Sequence, residues 1–514
     1  MKQYLLKGAW ILLGVLAIGR PAVAGEPFVK TRITFTFSDD NFLVGPGETK
    51  KSSPNAYMGN RNPSILDRTE SSNFDTLWTS LVLYKKFDFK SIFVPEAALS
   101  IRMQLDRDKL AYNLFDDSSY IRLNVYFNMK REKLFYAEFF PVDGDRFRLG
   151  FHDDITWGGT AIFPRNFSRH WAPALKVAID LRWFYAFAGF KTVLNRSASR
   201  EQLNNPGGND KLLVERTFYG GLFGVGITPV KGFWIEANGG IFQKGTIATD
   251  RGLGRPIRAG GVSAQLSYTY GDKIGRRVDL RLYREYAHTR DPLEKEAFKK
   301  RWSLFIAAEG TALFQTLADP DRADSTKLSP GYAAYFQTKF KYDAFRMHAD
   351  FVFRTVDFIL FNVPGLVPYQ ALSKFAKVTP EYLFTLAFDY TFRKIGLTPA
   401  ISFAVLIPAT YRSVFDLQGA NASTTDQGVK RLVVKGENSS DWSILPEGEK
   451  ELPVFMVKFT LRWTWRDVFA LIGEVYYGRD PNTAQLKRND DGHLLRRFDQ
   501  PNSIGAGFIT QVKF

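Results

Sequence analysis

The sequence contains no cysteine. That absence excludes a disulfide framework, a thiolate metal site, a cysteine nucleophile and lipid attachment at an N-terminal cysteine. Histidine is scarce as well, with five residues at 152, 170, 288, 348 and 493, and no G-x-S-x-G elbow accompanies them. His152 beside Asp153 and Asp154 is the best base–acid cluster. Neighbours in a strand point to opposite sides, so only one of the two aspartates can share the face of His152. The run Asp319-Pro-Asp321-Arg-Ala-Asp324 is acidic but reads as a solvated loop. Catalysis, a metal site and a cofactor are therefore not expected. Long hydrophobic runs are also missing once the N-terminus is set aside. The longest later apolar stretch, Leu397 to Ala409, is short and carries Thr398, Ser402 and two prolines. No segment there suits a membrane-spanning helix.

What is present begins with an export signature. Lys2 and Lys7 form a basic end, Gly8 to Gly19 an apolar stretch, and Ala22-Val23-Ala24 a small-x-small cleavage site. This reads as a signal peptide over 1–24 and one domain over 25–514. Cleavage removes Lys2, Lys7 and Arg20 and lowers the formal charge from +16 to +13. For an exported chain, that surplus points to anionic lipopolysaccharide or anionic solutes, not to nucleic acid.

From there on the chain has one texture. Segments of about ten residues alternate apolar and polar, which is the pattern of a transmembrane β-strand with one lipid face and one lumen face. Ala97, Leu99, Ile101, Met103 and Leu105 oppose Glu96, Ser100, Arg102 and Gln104. Phe345, Met347, Ala349, Phe351 and Phe353 oppose Arg346, His348, Asp350 and Arg354. Phe455, Val457, Phe459, Leu461, Trp463 and Trp465 oppose Lys458, Thr460, Arg462 and Thr464. Alternation alone would also suit a soluble sandwich. Aromatics at strand ends favour membrane-interface girdles.

The last segment places Ile504, Ala506, Phe508, Thr510, Val512 and the terminal Phe514 on one face. Connections fall into two kinds. Lys85–Ser91, Met129–Glu132, Thr228–Gly232, Gly271–Gly275, Arg393–Gly396 and Trp465–Asp467 read as short turns. Ser38–Asn73, Asn195–Lys211, Phe358–Thr379, Arg412–Lys450 and Gly478–Pro501 read as long outer loops. The expected fold is all-β: an up-and-down antiparallel transmembrane barrel of about 18 strands, with 16 and 20 as alternatives. About nineteen strand candidates can be marked, and strand directions counted in from the two ends disagree near Trp302–Ser329. Either Trp302–Thr316 hides a hairpin or another candidate is not a strand.

The polar faces supply the candidate site. Expected to line the lumen are Lys30, Arg32, Arg102, Arg122, Lys176, Arg182, Arg281, Arg346, Arg354, Arg393, Lys458 and Arg462, against the acids Glu96, Asp180, Asp279, Glu285, Asp350 and Asp389. Twelve bases against six acids suit a wet channel for anions or polyhydroxylated solutes, because guanidinium binds carboxylate and phosphate oxygens well. The bland reading is that these charges pair across strands and fill a closed barrel. The stretch Phe151–Trp171, with Asp153, Asp154, Arg165, Arg169 and His170, either folds inward and narrows the pore or forms a bent strand and a turn at the rim. Gly220-Gly221 through Gly226 reads as a bend in a strand.

The alternating strands, the arginine-rich inner face, the Arg146-Phe-Arg-Leu-Gly150 strand and the C-terminal Phe514 together resemble the large outer-membrane porins. They resemble more loosely the alginate-export type of polysaccharide-conducting barrel. The resemblance implies that Phe514 is an assembly signal read by the barrel-assembly machinery, that the barrel sits among outer-membrane lipid and lipopolysaccharide, and that no cofactor is used. Three functions compete on this reading. The first is a passive channel for hydrophilic or saccharide solutes. The second is an export conduit for a polysaccharide, with periplasmic partners. The third is a surface binding or adhesion barrel using its loops.

Overall fold

A computed structural model describes most of residues 30–513. Outside the described residues lie 1–29, 40–66, 69–75, 107–110, 163–170, 199–212, 248–254, 272–277, 280–301, 362–369, 413–430, 436–439, 445–450, 489–493, Phe514 and a few shorter stretches.

The alternating segments become barrel strands. In chain order they are β1 (Lys30–Asp39), β2 (Thr76–Lys86), β3 (Phe93–Asp106), β4 in two pieces (Ala111–Asp116 and Tyr120–Tyr126), β5 (Leu134–Phe140), β6 (Ala174–Asp180), β7 (Phe184–Ala198), β8 (Leu213–Val230) and β9 (Phe233–Thr246). They continue as β10 (Pro256–Tyr270), β11 (Trp302–Ala318), β12 (Thr326–Tyr342), β13 (Phe345–Arg354), β14 (Glu381–Tyr390), β15 (Leu397–Ile407), β16 (Val454–Trp465), β17 (Phe469–Arg479) and β18 (Asn502–Lys513). Each pairs antiparallel with its sequence neighbours, and β1 pairs with both β2 and β18. The sheet is thereby closed, with 18 strands and no free edge. Both pieces of β4 pair with β3, so they count as one strand.

An even strand number puts both chain ends on one side, the side of the short connections such as 231–232, 343–344 and 391–396. The long connections fall on the other side, as their Gly, Pro and Asn content suggests. One connection breaks this rule. Residues 271–301 join β10 to β11 on the short-turn side, where Gly271–Gly275 was expected to form a tight turn. β10 and β11 pair directly, from Ala259↔Gln315 to Tyr270↔Leu304. The wall therefore passes directly from β10 to β11, and Trp302–Ala318 is one strand without a hairpin. That removes the surplus candidate and restores the parity. Val278 and Asp279 instead pair in parallel with Asp67 and Arg68 of the β1–β2 connection.

The pleat sorts side chains by phase. On β16 exposure alternates residue by residue, with Phe455, Val457, Phe459, Leu461 and Trp463 outside and Met456, Lys458, Thr460 and Arg462 buried inside. The same sorting puts Leu99, Met103, Leu123, Leu175, Phe223, Val262, Phe336, Phe403 and Val475 on the outer surface. An exposed apolar belt on a closed barrel with charges inside is the inverse of a soluble protein and matches a bilayer as solvent. Above the belt on the long-loop side, Pro380 and Pro408 interrupt β14 and β15. Beyond the breaks, Lys377–Thr379 and Ala409–Arg412 pair again, and two further strands, Arg431–Lys435 and Ser440–Ile444, extend this small sheet.

Candidate functional site: the inner wall and a segment folded onto it

The connection 141–173 between β5 and β6 turns back into the barrel. Its apolar residues Phe147, Leu149, Ile155, Trp157 and Ile162 are buried in the same core as the inward aromatics Tyr120, Tyr136, Phe187, Phe218 and Phe242. Arg146–Gly150, which resembled part of a porin strand, is therefore not in the wall but in this inner segment. Of the two readings left open for the stretch, inward folding is the one observed for its described part.

The segment is held at both ends. At its root, Arg146 Nη2 meets the Asp117 carboxylate at 2.7 Å, and the Arg146 N–H donates to Ser118 Oγ. Asp117 also faces Arg102 at 3.6 Å. This dock exists because β4 breaks at 117–119, where Ser118 adopts a left-handed conformation with φ 62°. At its tip, the Gly150 N–H donates to Asn238 Oδ1 on β9 (2.9 Å), and those of Phe151 and His152 donate to the two Glu309 oxygens on β11 (2.9 and 2.8 Å). Trp157 Nε1 donates to Ser263 on β10 at 2.9 Å, and Lys191 Nζ on β7 donates to the Gly158 carbonyl at 2.8 Å. Arg354 Nη1 on β13 reaches the Asp154 carbonyl at 3.1 Å. The His152 ring stacks on Tyr335 of β12 with centroids 3.4 Å apart. The segment thus lines the wall from β7 to β13.

Glycines in the wall make room for this packing. A Cβ at Gly189 would lie 2.2 Å from the Phe147 ring, and one at Gly220 would lie 2.3 Å from Phe242. Gly220 to Gly226 is accordingly not a bend. It pairs without interruption with β9 and is small so that rings can lie flat against it.

The predicted lumen bases divide. Arg102, Arg122, Lys176, Arg346, Arg354, Lys458 and Arg462 are buried on the inward face. Arg393 is not. It sits in a short turn, about half exposed, and pairs with Asp343 of the neighbouring turn. The side chains of Lys30, Arg32 and Arg182 lie outside the described residues, as does Arg281. Of the expected constriction residues only Asp154 is described; Asp153, Arg165, Arg169 and His170 lie outside, and so does Phe514.

Most inward charges have partners. Arg122 sits between Glu96 (3.4 Å) and Glu138 (3.1 Å), Arg346 pairs with Asp389 (2.6 Å), Arg354 with Glu381, and Lys458 with Glu474. Lys176 lies within cation–π distance of Tyr136, Phe147, Tyr185 and Phe187. His348 Nε2 meets Asp350 at 2.8 Å, and Tyr335, Gln337 and Thr385 donate to the same carboxylate. Sequence reading had not counted the inward acids Glu138, Glu236, Glu309, Glu381 and Glu474. Their signal was phase: each falls on the buried beat of its strand. Among the described residues, eleven bases are buried on the strands' inner face (Arg102, Arg122, Lys176, Lys191, Lys244, Lys339, Lys341, Arg346, Arg354, Lys458, Arg462). Eight acids share that face (Glu96, Glu138, Glu236, Glu309, Asp350, Glu381, Asp389, Glu474). The basic excess persists but is smaller than twelve to six.

His152 does have Asp154 on its side, with Nδ1 3.4 Å from Oδ2. Both residues are engaged in holding the segment to the wall, through the stack on Tyr335 and the Arg354 hydrogen bond.

No family model matches the chain, and no curated protein matches it. Solved structures do. OprD of Pseudomonas aeruginosa is 7% identical, with 95% of this chain and 94% of that one covered and a TM-score of 0.42. OpdK of Pseudomonas aeruginosa, solved with vanillate, is 8% identical, with 95% and 98% covered and a TM-score of 0.41. OmpT of Vibrio cholerae, an outer-membrane protein, is 6% identical, with 96% and 100% covered and a TM-score of 0.35. At these values the likeness carries no argument of its own. The 18-strand barrel rests on the strand pairings described above.

Proposed function

We propose that the chain is an outer-membrane channel for hydrophilic solutes, narrowed on one side by the 141–173 segment. One observation carries this reading: a closed barrel with an apolar outside has charged and polar groups on its inner wall. A barrel of 18 strands is too wide for side chains alone to fill. The inner segment packs against β7 to β13, and the arc β14 to β18 lies beyond those contacts. There the inward residues are often small: Ala387, Ala400, Ser402, Ala404, Ser503 and Gly507. Lys458, Glu474 and Asp389 stand among them.

The solutes we favour are anionic or saccharide. The support is the remaining excess of inward bases and the suitability of guanidinium for carboxylate and hydroxyl oxygens. The test is the reversal potential across a KCl gradient. Chloride preference that falls when Arg102 and Arg462 are replaced by Gln is the expected result; cation preference would overturn the anionic assignment. Delivery to the outer membrane rests on cleavage after Ala24, and a mature protein sequenced from Met1 would contradict it.

A second reading, a polysaccharide export conduit with periplasmic partners, draws on a single feature. The connection 271–301 is long on the side where the others are short, and it offers chain for a partner to hold. Co-purification of a periplasmic protein that is lost on deleting 276–296 would favour it.

A further inference from the structure

The inner segment needs something to fix its distance from the opposite wall, and one group is built for that. Glu309 stands on the inward face of β11, 4% exposed. Its two oxygens accept from two consecutive backbone N–H groups of the segment, those of Phe151 and His152. Gly150 precedes them in the left-handed region, with φ 81°. Successive amides presented after a left-handed residue form a concavity suited to an anion, and the anion in it is a side chain of the wall.

We propose that Glu309 is the latch that sets the width of the channel: a positioning residue that anchors the tip of the 141–173 segment to β11. The proposal rests on the channel reading for its consequence, but the latch itself is testable without it. Asn238 and Ser263 meet the segment through hydrogen bonds between neutral groups, and the Lys191 ammonium donates to the Gly158 carbonyl. Glu309 makes two, and both are charge-assisted, the stronger kind. Gln at this position keeps one acceptor and turns an amide N–H toward a backbone N–H. The tip then loses a strong contact and gains a repulsive one.

The experiment is trypsin digestion of the folded, detergent-solubilised full chain, with cuts inside 141–173 mapped by mass spectrometry. Heat-modifiability on gels confirms an intact barrel. E309Q should raise the rate of cutting in this segment by about tenfold or more, since each charge-assisted bond lost shifts local opening by that order. E474Q, which neutralises another buried inward carboxylate far from the segment, should leave that rate at the wild-type value. If E309Q fails to form a barrel, G150A is the second variant. A Cβ there would lie 3.0 Å from Glu309 Oε1 and 3.2 Å from Thr156 Cα on a left-handed residue, so it disturbs the same latch from the loop side. Unchanged protection in E309Q, or in G150A where it stands in, overturns the latch, as does equal exposure in E474Q. Single-channel recording separates the two claims. A wild-type protein that does not conduct refutes the channel and leaves the cleavage result standing. A conducting wild type whose E309Q form has the same conductance refutes the role of Glu309 in setting the width.

Discussion

Removing Trp157 should free the inner segment while sparing the barrel. Its indole is 2% exposed, packs edge-on against Phe242 and Phe361 at 6.0 Å each, and donates to Ser263 at 2.9 Å. Truncating a buried Trp to Ala costs about 3–5 kcal/mol. The two edge-to-face contacts, at about 0.5–1.5 kcal/mol each, and one hydrogen bond of about 1 kcal/mol are part of that. A loss near 4 kcal/mol is about a thousand-fold in the docked-to-undocked ratio of the segment. No strand pairing is touched, so the temperature at which the barrel unfolds on gels should hardly move. In single-channel recordings W157A should show a larger or fluctuating conductance. W157F is the graded control: it keeps most of the packing and loses the N–H, while Ser263 retains Thr311 at 2.7 Å. Its effect should be small. A W157A channel with wild-type conductance and wild-type protease protection would refute the claim that the segment narrows the path.

Three further outcomes follow from the wall and the loops. R346Q leaves Asp389 buried without its 2.6 Å guanidinium partner and should cost about 3–5 kcal/mol in urea unfolding; replacing both by Leu should cost much less. F459R puts a cation on the lipid face near the middle of β16 and should destabilise the barrel by about 2–4 kcal/mol; a neutral effect would mean that Phe459 does not meet lipid. The loop carboxylates respond to acid in opposite senses. Burial pushes Asp321 up, but the Ser373 hydroxyl, the Lys374 N–H and the charges of Lys327 and Lys374 outweigh it and hold Asp321 below its ordinary value. Its contribution to docking 371–376 is therefore present at neutral pH and lost as pH falls through its folded-state pKa. Burial raises Asp357 despite the Ser329 hydrogen bond, so its site favours the protonated form and gains as pH falls. Hydrogen exchange followed from neutral to acid should show 371–376 loosening while 356–359 does not; loosening of both together would contradict the assignment.

The barrel was legible because a bilayer imposes a period of two on every strand, and the exposed–buried beat of β16 is that period made visible. The surplus candidate at 278–285 carried the same beat. Pairing decides what is wall, and pairing is a contact between distant residues: only the β10–β11 register shows that nothing lies between them. The inner segment left a trace in its apolar residues, since Phe147, Leu149, Ile155 and Trp157 are costly to leave in a solvated loop. What the trace did not show was where they go. That depends on inward glycines such as Gly189 and Gly220, and the run from Gly220 to Gly226 read as a bend. The inward acids were missed for a related reason. Glu309 and Glu474 lie in strands full of Gly, Ala and Tyr, where a lone carboxylate does not announce a polar face.

The most direct test of the channel is a planar bilayer containing the purified, heat-modifiable protein at low and high KCl. Discrete conductance steps that scale with salt are predicted. A silent membrane, with the barrel shown to be folded and inserted, would contradict the account.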